Sequence, residues 1–243
     1  MVLPWLEAGA KAGKKRLAVL IDPDKTPPNR LSSTIVAIHE SDVDLILVGG
    51  SLLVSDAMEA TVQHLKAQCN VPVVIFPGSP HQISASADAL LLLSLISGRN
   101  PDLLIGQHVQ AAPALKRSGL ELLPTGYLLI NGGRATTVSY ISNTEPIPAD
   151  KPEIAAVTAL AGTQLGLRLI YLDAGSGAMN AVAPETVTMV RQQTHLPLII
   201  GGGIRNVDTA LALANAGADM IVVGNAIEDR PQFLPELSSA LKA

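Results

Sequence analysis

Eight short apolar runs alternate with longer segments of helical spacing along the whole chain, and this alternation limits the possible folds most strongly. Strands that alternate with helices predict a parallel sheet, because each strand needs a helical crossover to return to the same edge. Eight such units in 243 residues match a (β/α)8 TIM barrel, which typically has about 250 residues. We therefore predict one TIM-barrel domain over residues 1–243, with strands at residues 16–21, 44–48, 71–76, 89–93, within 121–130, 168–172, 197–200 and 220–223.

The connection between the third and fourth predicted strands breaks the pattern. It is only about a dozen residues long and opens with Pro77-Gly78-Ser79-Pro80. A parallel crossover normally needs a helix-sized segment. We expect the third helix to be missing, with an extended segment around residues 81–85 in its place. The other helices are predicted at residues 1–15 as a lid on the barrel bottom, then at 29–40, 54–68, 101–118, 152–165, 184–193, 206–216 and 230–241, with 131–151 as a polar loop on the substrate side.

Composition excludes several functional classes. Apolar residues make up 48% and charged residues 16%, which is typical of an ordered globular protein, and a net charge of −4 gives no support for a nucleic-acid partner. Cys69 is the single cysteine, so the chain can form neither an internal disulfide nor a thiolate metal cluster. The N-terminus does not resemble a signal peptide, and the longest apolar stretch, residues 87–96, is too short to span a bilayer. We expect a cytoplasmic protein.

Three consecutive strand ends near the C-terminus carry glycine. They are Asp173-Ala174-Gly175-Ser176-Gly177, Gly201-Gly202-Gly203 and Gly224-Asn225. Barrels often bind phosphate at this part of the catalytic face, where glycine lets backbone N–H groups approach an anion. The alternative is that glycine only permits tight turns. Three neighbouring turns favour a small phosphorylated ligand, while Arg205 is interpreted as a surface salt-bridge partner.

The first two strands end in residues that suit a magnesium ion. Asp22 follows strand one and Ser51 follows strand two. One carboxylate and one hydroxyl make a poor all-protein cage, but Mg²⁺ keeps several waters and is often bound by substrate phosphates. This predicts a second phosphate-bearing substrate opposite the first. Asp22 as a simple turn residue is equally consistent, and Asp24 and Lys25 are interpreted as turn and surface residues, with Lys25 within reach of a phosphate.

Other catalytic patterns are absent from the sequence. The histidines form no metal cluster and no Ser-His-Asp arrangement, and only His81 falls near the catalytic face. Neither a P-loop nor a G-x-G-x-x-G motif lies between a strand and a helix.

Five motifs taken together resemble the geranylgeranylglyceryl phosphate synthase family. They are Leu20-Ile21-Asp22-Pro23-Asp24-Lys25, Val48-Gly49-Gly50-Ser51, Tyr171-Leu172-Asp173-Ala174-Gly175-Ser176-Gly177, Gly201-Gly202-Gly203-Ile204 and Val223-Gly224-Asn225-Ala226. The resemblance spans nearly the whole chain, and that family is similar to a TIM barrel without its third helix. Leu20 stands where one branch of the family has a phosphate-contacting lysine, so the chain resembles the other branch.

The resemblance implies a Mg²⁺-dependent prenyltransferase of ether-lipid biosynthesis. It would join geranylgeranyl diphosphate to the 3-hydroxyl of sn-glycerol 1-phosphate and release pyrophosphate. It also implies a homo-oligomer, dimer or hexamer, that has no membrane span, with membrane-surface contact through its lipid product. Carried over by motif, the metal residues are Asp22 and Ser51, and the glycerol-phosphate residues are Tyr171, Leu172, Asp173, Ala174, Gly175, Ser176, Gly177, Gly202, Gly203, Gly224 and Asn225.

The chemistry of prenyl transfer assigns roles to two side chains. Asp173, where many family members have Glu, is the candidate to orient the glycerol hydroxyl and accept its proton. Tyr127, at the end of strand five, would line the path of the allylic cation with its ring. A long apolar groove must hold the prenyl tail, and we expect its lining among Val73, Ile75, Ala85, Ala89 and Leu91.

Two other functional classes remain open at this point. A sugar-phosphate isomerase or lyase on the same phosphate-binding barrel would need an acid and a base at strand ends one and five, or a Schiff-base lysine. Strand one offers Asp22, but strand five ends in Tyr127 and Asn131, and no lysine sits on a strand end. A barrel that only binds a phosphorylated ligand would need no metal at Asp22.

Overall fold

A computed structural model of the chain describes residues 1–242, apart from the side chain of residue 229. Its eight strands close into a barrel in chain order, and every neighbouring pair is parallel. This confirms the predicted (β/α)8 architecture. The strands are β1 (Arg16–Ile21), β2 (Leu45–Val48), β3 (Val73–Ile75), β4 (Ala89–Leu95), β5 (Glu121–Leu129), β6 (Leu169–Asp173), β7 (Leu198–Gly201) and β8 (Met220–Val223).

The helices fall close to their predicted positions. They are α1 (Val2–Lys11), α2 (Ser32–His39), α3 (Met58–Gln68), α4 (Gln107–Ser118), α5 (Thr137–Ile141), α6 (Pro152–Gln164), α7 (Pro184–Gln193), α8 (Val207–Asn215), α9 (Asn225–Asp229) and α10 (Phe233–Lys242). A 3₁₀ turn at Pro28–Arg30 precedes α2, and a π-helical turn at Asp102–Gly106 leads into α4. The prediction of residues 131–151 as loop missed α5, and α9 lies just before the helix predicted at 230–241 and was not predicted separately. No helix in residues 1–242 combines the length and apolar character needed to cross a membrane.

The barrel has two cores because successive strand residues point to opposite faces. One set, which includes Ala89 and Leu91, fills the barrel interior, and the alternate set, which includes Leu90, packs between the sheet and the helices. Both faces of most strands are therefore buried, which explains the continuous apolar runs in the sequence, while β4 and β5 also have half-buried positions.

Helix α1 closes the bottom of the barrel, as predicted. Val2 and Leu6 belong to the interior core, and the Arg16 guanidinium lies 3.9 Å from the centre of the Trp5 ring. The Glu121 carboxylate accepts hydrogen bonds from the first two helical N–H groups, those of Val2 and Leu3, which have no partner within the helix. The open mouth therefore lies at the other end, where the strands terminate.

No helix lies between β3 and β4 in the described chain, and the missing third helix is confirmed. The segment after β3 is held instead by the buried side chain of Gln82. Its amide accepts from the N–H of Gly78 at 2.8 Å and donates to the carbonyl of Gly50 at 3.2 Å. This fixes the extended segment to the loop after β2 and leaves part of the outer face of β4 open toward α4.

Candidate active site

An apolar cavity lies where the third helix is missing. It encloses about 980 Å³, including the part open to solvent at the mouth, and it is bounded by both faces of β4 and by one face of α4. From Leu103 to Leu115 the helical wall extends for about 18 Å, at 1.5 Å per residue. This length is comparable with one leaflet of a bilayer core, which holds lipid tails and is about 15 Å thick. The lining residues that argue for a tail site are Leu90, Leu91, Leu92, Leu93, Leu95, Leu103, Ala111 and Leu115.

This lining differs from the one expected. Leu91 lines the cavity as predicted, but Val73 and Ile75 are buried in the core outside the barrel and Ala89 is buried in its interior. Ala85 is exposed and is not among the lining residues. The cavity does lie beside the missing helix, where the tail was expected, and α4 provides much of its wall.

Three aromatic rings meet where the cavity reaches the barrel mouth. The ring centroid of Phe76 lies 5.9 Å from that of Tyr127 and 5.3 Å from that of Tyr171, and the two tyrosine rings are 5.6 Å apart. Phe76 and Tyr127 both line the cavity. The negative faces of aromatic rings attract a cation, so this cluster suits an ionised allylic carbon. Phe76 was missed in the sequence because it reads only as the last residue of an apolar strand.

The Tyr127 hydroxyl connects the cavity to Asp173. It donates to Asp173 Oδ2 at 2.5 Å, while the N–H of Gly175 donates to Oδ1 at 2.8 Å. Burial raises the pKa of the Asp173 carboxyl, and these two hydrogen bonds offset only part of that effect. Burial and the adjacent Asp173 together raise the pKa of Tyr127 well above its ordinary value. Asp173 and Tyr127 thus form a buried pair under the loop after β6.

The loops after β6, β7 and β8 come together as expected. The Ser176 hydroxyl donates to Asn225 Oδ1 at 3.0 Å, which joins the loops after β6 and β8. Gly202 has a φ of +81°, and a Cβ there would lie 2.6 Å from the Gly175 nitrogen and 2.7 Å from Asp173 Oδ1. Glycine is therefore required here for the close approach of the two loops as well as for the turn.

Two predicted ligand-binding residues lie deeper than their neighbours in the motif. Tyr171 is 1% exposed, with its ring in the barrel interior, and Leu172 is fully buried in the outer core. A contact between Leu172 and a ligand at the mouth would have to use its backbone. Ser176 and Asn225 are exposed and accessible at the mouth.

Asp22 follows β1, the neighbour of β8 in the barrel, so it lies beside the glycine loops rather than opposite them, against the loop that carries Ser51. Its Oδ2 is 3.3 Å from the position that a Cβ on Gly50 would occupy, and Oδ1 accepts from the N–H of Asp24 at 3.0 Å. Within the described residues, no group of three or more acidic, histidine or cysteine side chains could enclose a metal ion. One carboxylate and one hydroxyl fit an ion that takes its other ligands from water and substrate phosphates.

Two charged side chains near the mouth have structural roles. The Asp24 carboxylate accepts hydrogen bonds from the N–H groups of Val54 and Ser55 and from the Ser55 hydroxyl, so it fixes the loop after β2. Arg205 donates to the carbonyls of Ala178 and Met179. The predicted salt bridge of Arg205 is wrong for the described residues, since these contacts stabilise the loop after β6 instead.

Two cations lie closer to the glycine loops than the sequence indicates. Lys25 Nζ is 3.3 Å from Ser176 Oγ and 3.4 Å from Asn225 Oδ1. Arg134 Nη2 lies 2.9 Å from the position that a Cβ on Gly177 would occupy. Lys25 and Ser176 are 151 residues apart, and Arg134 lies in a polar loop without a motif, so no local pattern signals either contact.

Comparison with known proteins gives consistent matches over nearly the whole chain. A family model described as the PcrB family matches residues 11–241. The geranylgeranylglyceryl phosphate synthase of Chitinophaga pinensis is 52% identical over 231 residues, which cover 95% of this chain and 92% of that protein. The enzyme of the same name from Spirosoma linguale is also 52% identical, over 95% of this chain and 93% of its own.

A solved structure agrees with the sequence matches. The crystal structure of (S)-3-O-geranylgeranylglyceryl phosphate synthase from Thermoplasma acidophilum, in complex with its substrate sn-glycerol-1-phosphate, superimposes with a TM-score of 0.93 at 34% identity. The match covers 100% of this chain and 98% of the other. The two proteins therefore share the same overall fold from end to end.

Proposed function

The chain belongs to the PcrB family, and we propose that it is a prenyltransferase that joins geranylgeranyl diphosphate to the 3-hydroxyl of sn-glycerol 1-phosphate and releases pyrophosphate. One observation carries the proposal. The apolar cavity and the glycine loops open at the same barrel mouth, with the ring of Tyr127 between them. A long apolar tail and a small phosphorylated acceptor therefore have separate sites that meet at one point.

The acceptor belongs beside β6, β7 and β8. Ser176 and Asn225 offer polar side chains there, and the glycine turns allow the backbone to approach a phosphate. The acceptor hydroxyl then points toward the centre of the mouth, where the cavity ends. The Thermoplasma acidophilum enzyme, which crystallised with sn-glycerol-1-phosphate as its substrate, supports this assignment because its fold matches this chain throughout.

The metal residues in this proposal are Asp22 and Ser51, which follow β1 and β2, beside β8 in the barrel. They would hold Mg²⁺, which when bound neutralises the charge that develops on the departing diphosphate. The bond between the allylic carbon and the diphosphate oxygen breaks, and its electron pair leaves with pyrophosphate. Phe76 and Tyr127 present their rings to the resulting allylic cation and exclude water from it.

The second half of the reaction uses Asp173. The oxygen of the glycerol 3-hydroxyl forms the new ether bond to the allylic carbon, and its proton goes to the Asp173 carboxylate. Because burial raises the pKa of Asp173, the carboxylate is a stronger base than an exposed aspartate. Tyr127 and Gly175 hold it in one orientation by their hydrogen bonds. Placement of the alcohol beside a preformed cation further lowers the barrier to ether formation.

The direct test is incubation of the purified protein with labelled sn-glycerol 1-phosphate, Mg²⁺ and prenyl diphosphates of several chain lengths. We expect a prenylated glycerol phosphate and an equal amount of pyrophosphate, with geranylgeranyl diphosphate the preferred donor. The enantiomer, sn-glycerol 3-phosphate, serves as the control acceptor. Absence of product with every donor would contradict the proposal.

Two further properties implied by the family, oligomeric state and Mg²⁺ dependence, can be tested on the same purified protein. We expect a homo-oligomer, which size-exclusion chromatography with light scattering would measure as a dimer or a hexamer. Removal of divalent ions by a chelator should abolish turnover, and addition of Mg²⁺ should restore it.

A further inference from the structure

We propose that Lys25 and Arg134 form a two-cation clamp on the phosphate of the acceptor. This inference rests on the proposed function, because it concerns the site assigned above to sn-glycerol 1-phosphate. The two residues come from the loops after β1 and β5, neither of which belongs to the three glycine loops. In the closed barrel β5 and β1 flank β6, β7 and β8, so the two residues approach the glycine loops from either side.

Lys25 reaches the glycine loops from the side of Asp22. Its Nζ lies within hydrogen-bond distance of Ser176 Oγ and Asn225 Oδ1, at 3.3 and 3.4 Å, and 3.8 Å from Asp22 Oδ2. A lysine that served only as a surface partner of Asp22 would have no reason to contact the other two residues. Lys25 therefore stands between the acceptor side of the mouth and the side assigned to the diphosphate.

Arg134 reaches the same loops from the opposite direction. Its Nη2 lies 2.9 Å from the position that a Cβ on Gly177 would occupy. The same position is 4.0 Å from Asn225 Nδ2, and Asn225 Oδ1 lies 3.4 Å from Lys25 Nζ. Arg134 and Lys25 therefore lie near the same pair of glycine loops.

The loop that carries Arg134 is fixed in place. The N–H groups of Met179 and Asn180 donate to the carbonyl of Gly132 at 2.9 and 3.0 Å. The N–H of Gly133 donates to Asn131 Oδ1 at 2.8 Å. Because the base of the loop is tied to the loop after β6, the backbone that carries Arg134 is positioned before any ligand binds, and only its side chain remains to be ordered.

The charge balance of the site explains why cations are needed. The other side chains assigned to the acceptor phosphate, Ser176 and Asn225, are neutral, while Asp22 and Asp173 add negative charge nearby. A phosphate monoester carries a charge of about −1.5 to −2 at neutral pH. Without cations the acceptor would be repelled by both carboxylates. Lys25 supplies a point charge and Arg134 a planar fork, which together match the oxygens of a phosphate.

The test measures binding of sn-glycerol 1-phosphate to the whole protein by calorimetry, without prenyl diphosphate or divalent ions. The variants are Lys25→Gln, Arg134→Gln and the double variant. Each single change should raise Kd about tenfold or more, as expected for loss of a charge-assisted hydrogen bond. The charge-preserving variants Lys25→Arg and Arg134→Lys should recover part of the affinity.

Matched controls are available on α4. Lys116 and Arg117 are exposed in its last turn, at the closed end of the barrel. Lys116→Gln and Arg117→Gln make the same charge changes away from the mouth, so Kd should stay within about twofold of the wild-type value. Thermal unfolding of every variant checks that the fold is retained, which is expected because Lys25 and Arg134 are exposed.

The outcomes separate this inference from the proposed function. Wild-type protein that binds sn-glycerol 1-phosphate, with weaker binding only in the Lys25 and Arg134 variants, supports the clamp. Wild-type binding with those variants equal to their controls would overturn the clamp and leave the proposed function standing. Wild-type protein that neither binds the acceptor nor forms product would overturn both. With inorganic phosphate as probe the same order of affinities is expected, and with uncharged glycerol no difference between variants.

Discussion

The two sides of the barrel mouth are built in different ways. On the side of β6, β7 and β8, short glycine-containing turns and a few polar side chains line the mouth, at the proposed acceptor site. On the side of β3 and β4, leucines of one strand and one helix surround a cavity that exists because a helix is missing. A charged group needs fixed polar contacts at a few points, whereas an apolar tail needs only dry volume. The polar side can therefore be recognised from short sequence motifs, whereas the apolar side cannot.

A change at Asp22 should separate binding from chemistry most strongly. Asp22→Asn removes the carboxylate proposed to hold Mg²⁺ and should lower kcat by about 10²- to 10³-fold, because charge on the leaving group is no longer neutralised. Steady-state rates at saturating Mg²⁺ measure this effect. Asp24→Asn is the matched control, since Asp24 fixes the loop after β2 and should affect stability more than rate. Equal rates for Asp22→Asn and wild type would rule out the metal assignment.

Gly202→Ala should damage only the acceptor side. A Cβ at φ +81° would press against the Gly175 nitrogen and Asp173 Oδ1, so we expect a loss of about 3 kcal/mol in the free energy of unfolding. Urea denaturation measures this loss, and calorimetry should show weaker binding of sn-glycerol 1-phosphate. Gly13→Ala is the control, since Gly13 also has a positive φ but a Cβ there would have no neighbour within 4 Å. Similar losses in both variants would mean that φ alone explains the requirement for glycine.

Ala111→Phe should damage only the apolar side. Ala111 is 8% exposed and lines the cavity, so a phenyl ring there takes volume from the tail. We expect kcat/KM for geranylgeranyl diphosphate to fall by about 10- to 100-fold relative to a shorter prenyl diphosphate. Ala112→Phe, at the exposed neighbouring position, should leave the ratio of kcat/KM between the two prenyl diphosphates unchanged. An unchanged chain-length preference in Ala111→Phe would show that the tail lies elsewhere.

Tyr127→Phe tests the contact between the two sides. Folding raises the pKa of Asp173 above its unfolded value of 3.8, so the stability linked to this group is fully present below that pH and is lost as pH rises through the folded pKa. Tyr127→Phe removes a hydrogen bond that lowers the pKa of Asp173. The stability lost as the pH rises should therefore be larger in the variant.

The effect of Tyr127→Phe can be measured by urea unfolding at two pH values. We expect the variant to be less stable than wild type by about 1 to 2 kcal/mol at neutral pH, and the difference to shrink near pH 4. Tyr140→Phe is the control, because Tyr140 is 84% exposed. A difference that does not depend on pH would argue that Tyr127 acts through packing alone.

Much of the fold could be predicted from the sequence. The eight strands were visible because parallel strands buried on both faces give continuous apolar runs, and the missing helix was visible as a connection too short to contain one. Helix α5 was missed because its five residues cannot show helical periodicity. Its N-terminal capping box joins Thr136 to Ser139, which is a weaker signal than the usual pairing with Glu or Gln.

The sequence by itself determined the barrel, the polar turns and the residues Asp22, Ser51, Asp173 and Asn225 as candidates, because these depend on period and on neighbours along the chain. Only the tertiary structure decided which groups meet. It paired Tyr127 with Asp173, brought Phe76 to the cavity mouth and placed Lys25 and Arg134 at the glycine loops. These contacts join residues far apart in sequence, and barrel closure brings them together. The shape of the tail cavity likewise depends on how α4 packs beside β4.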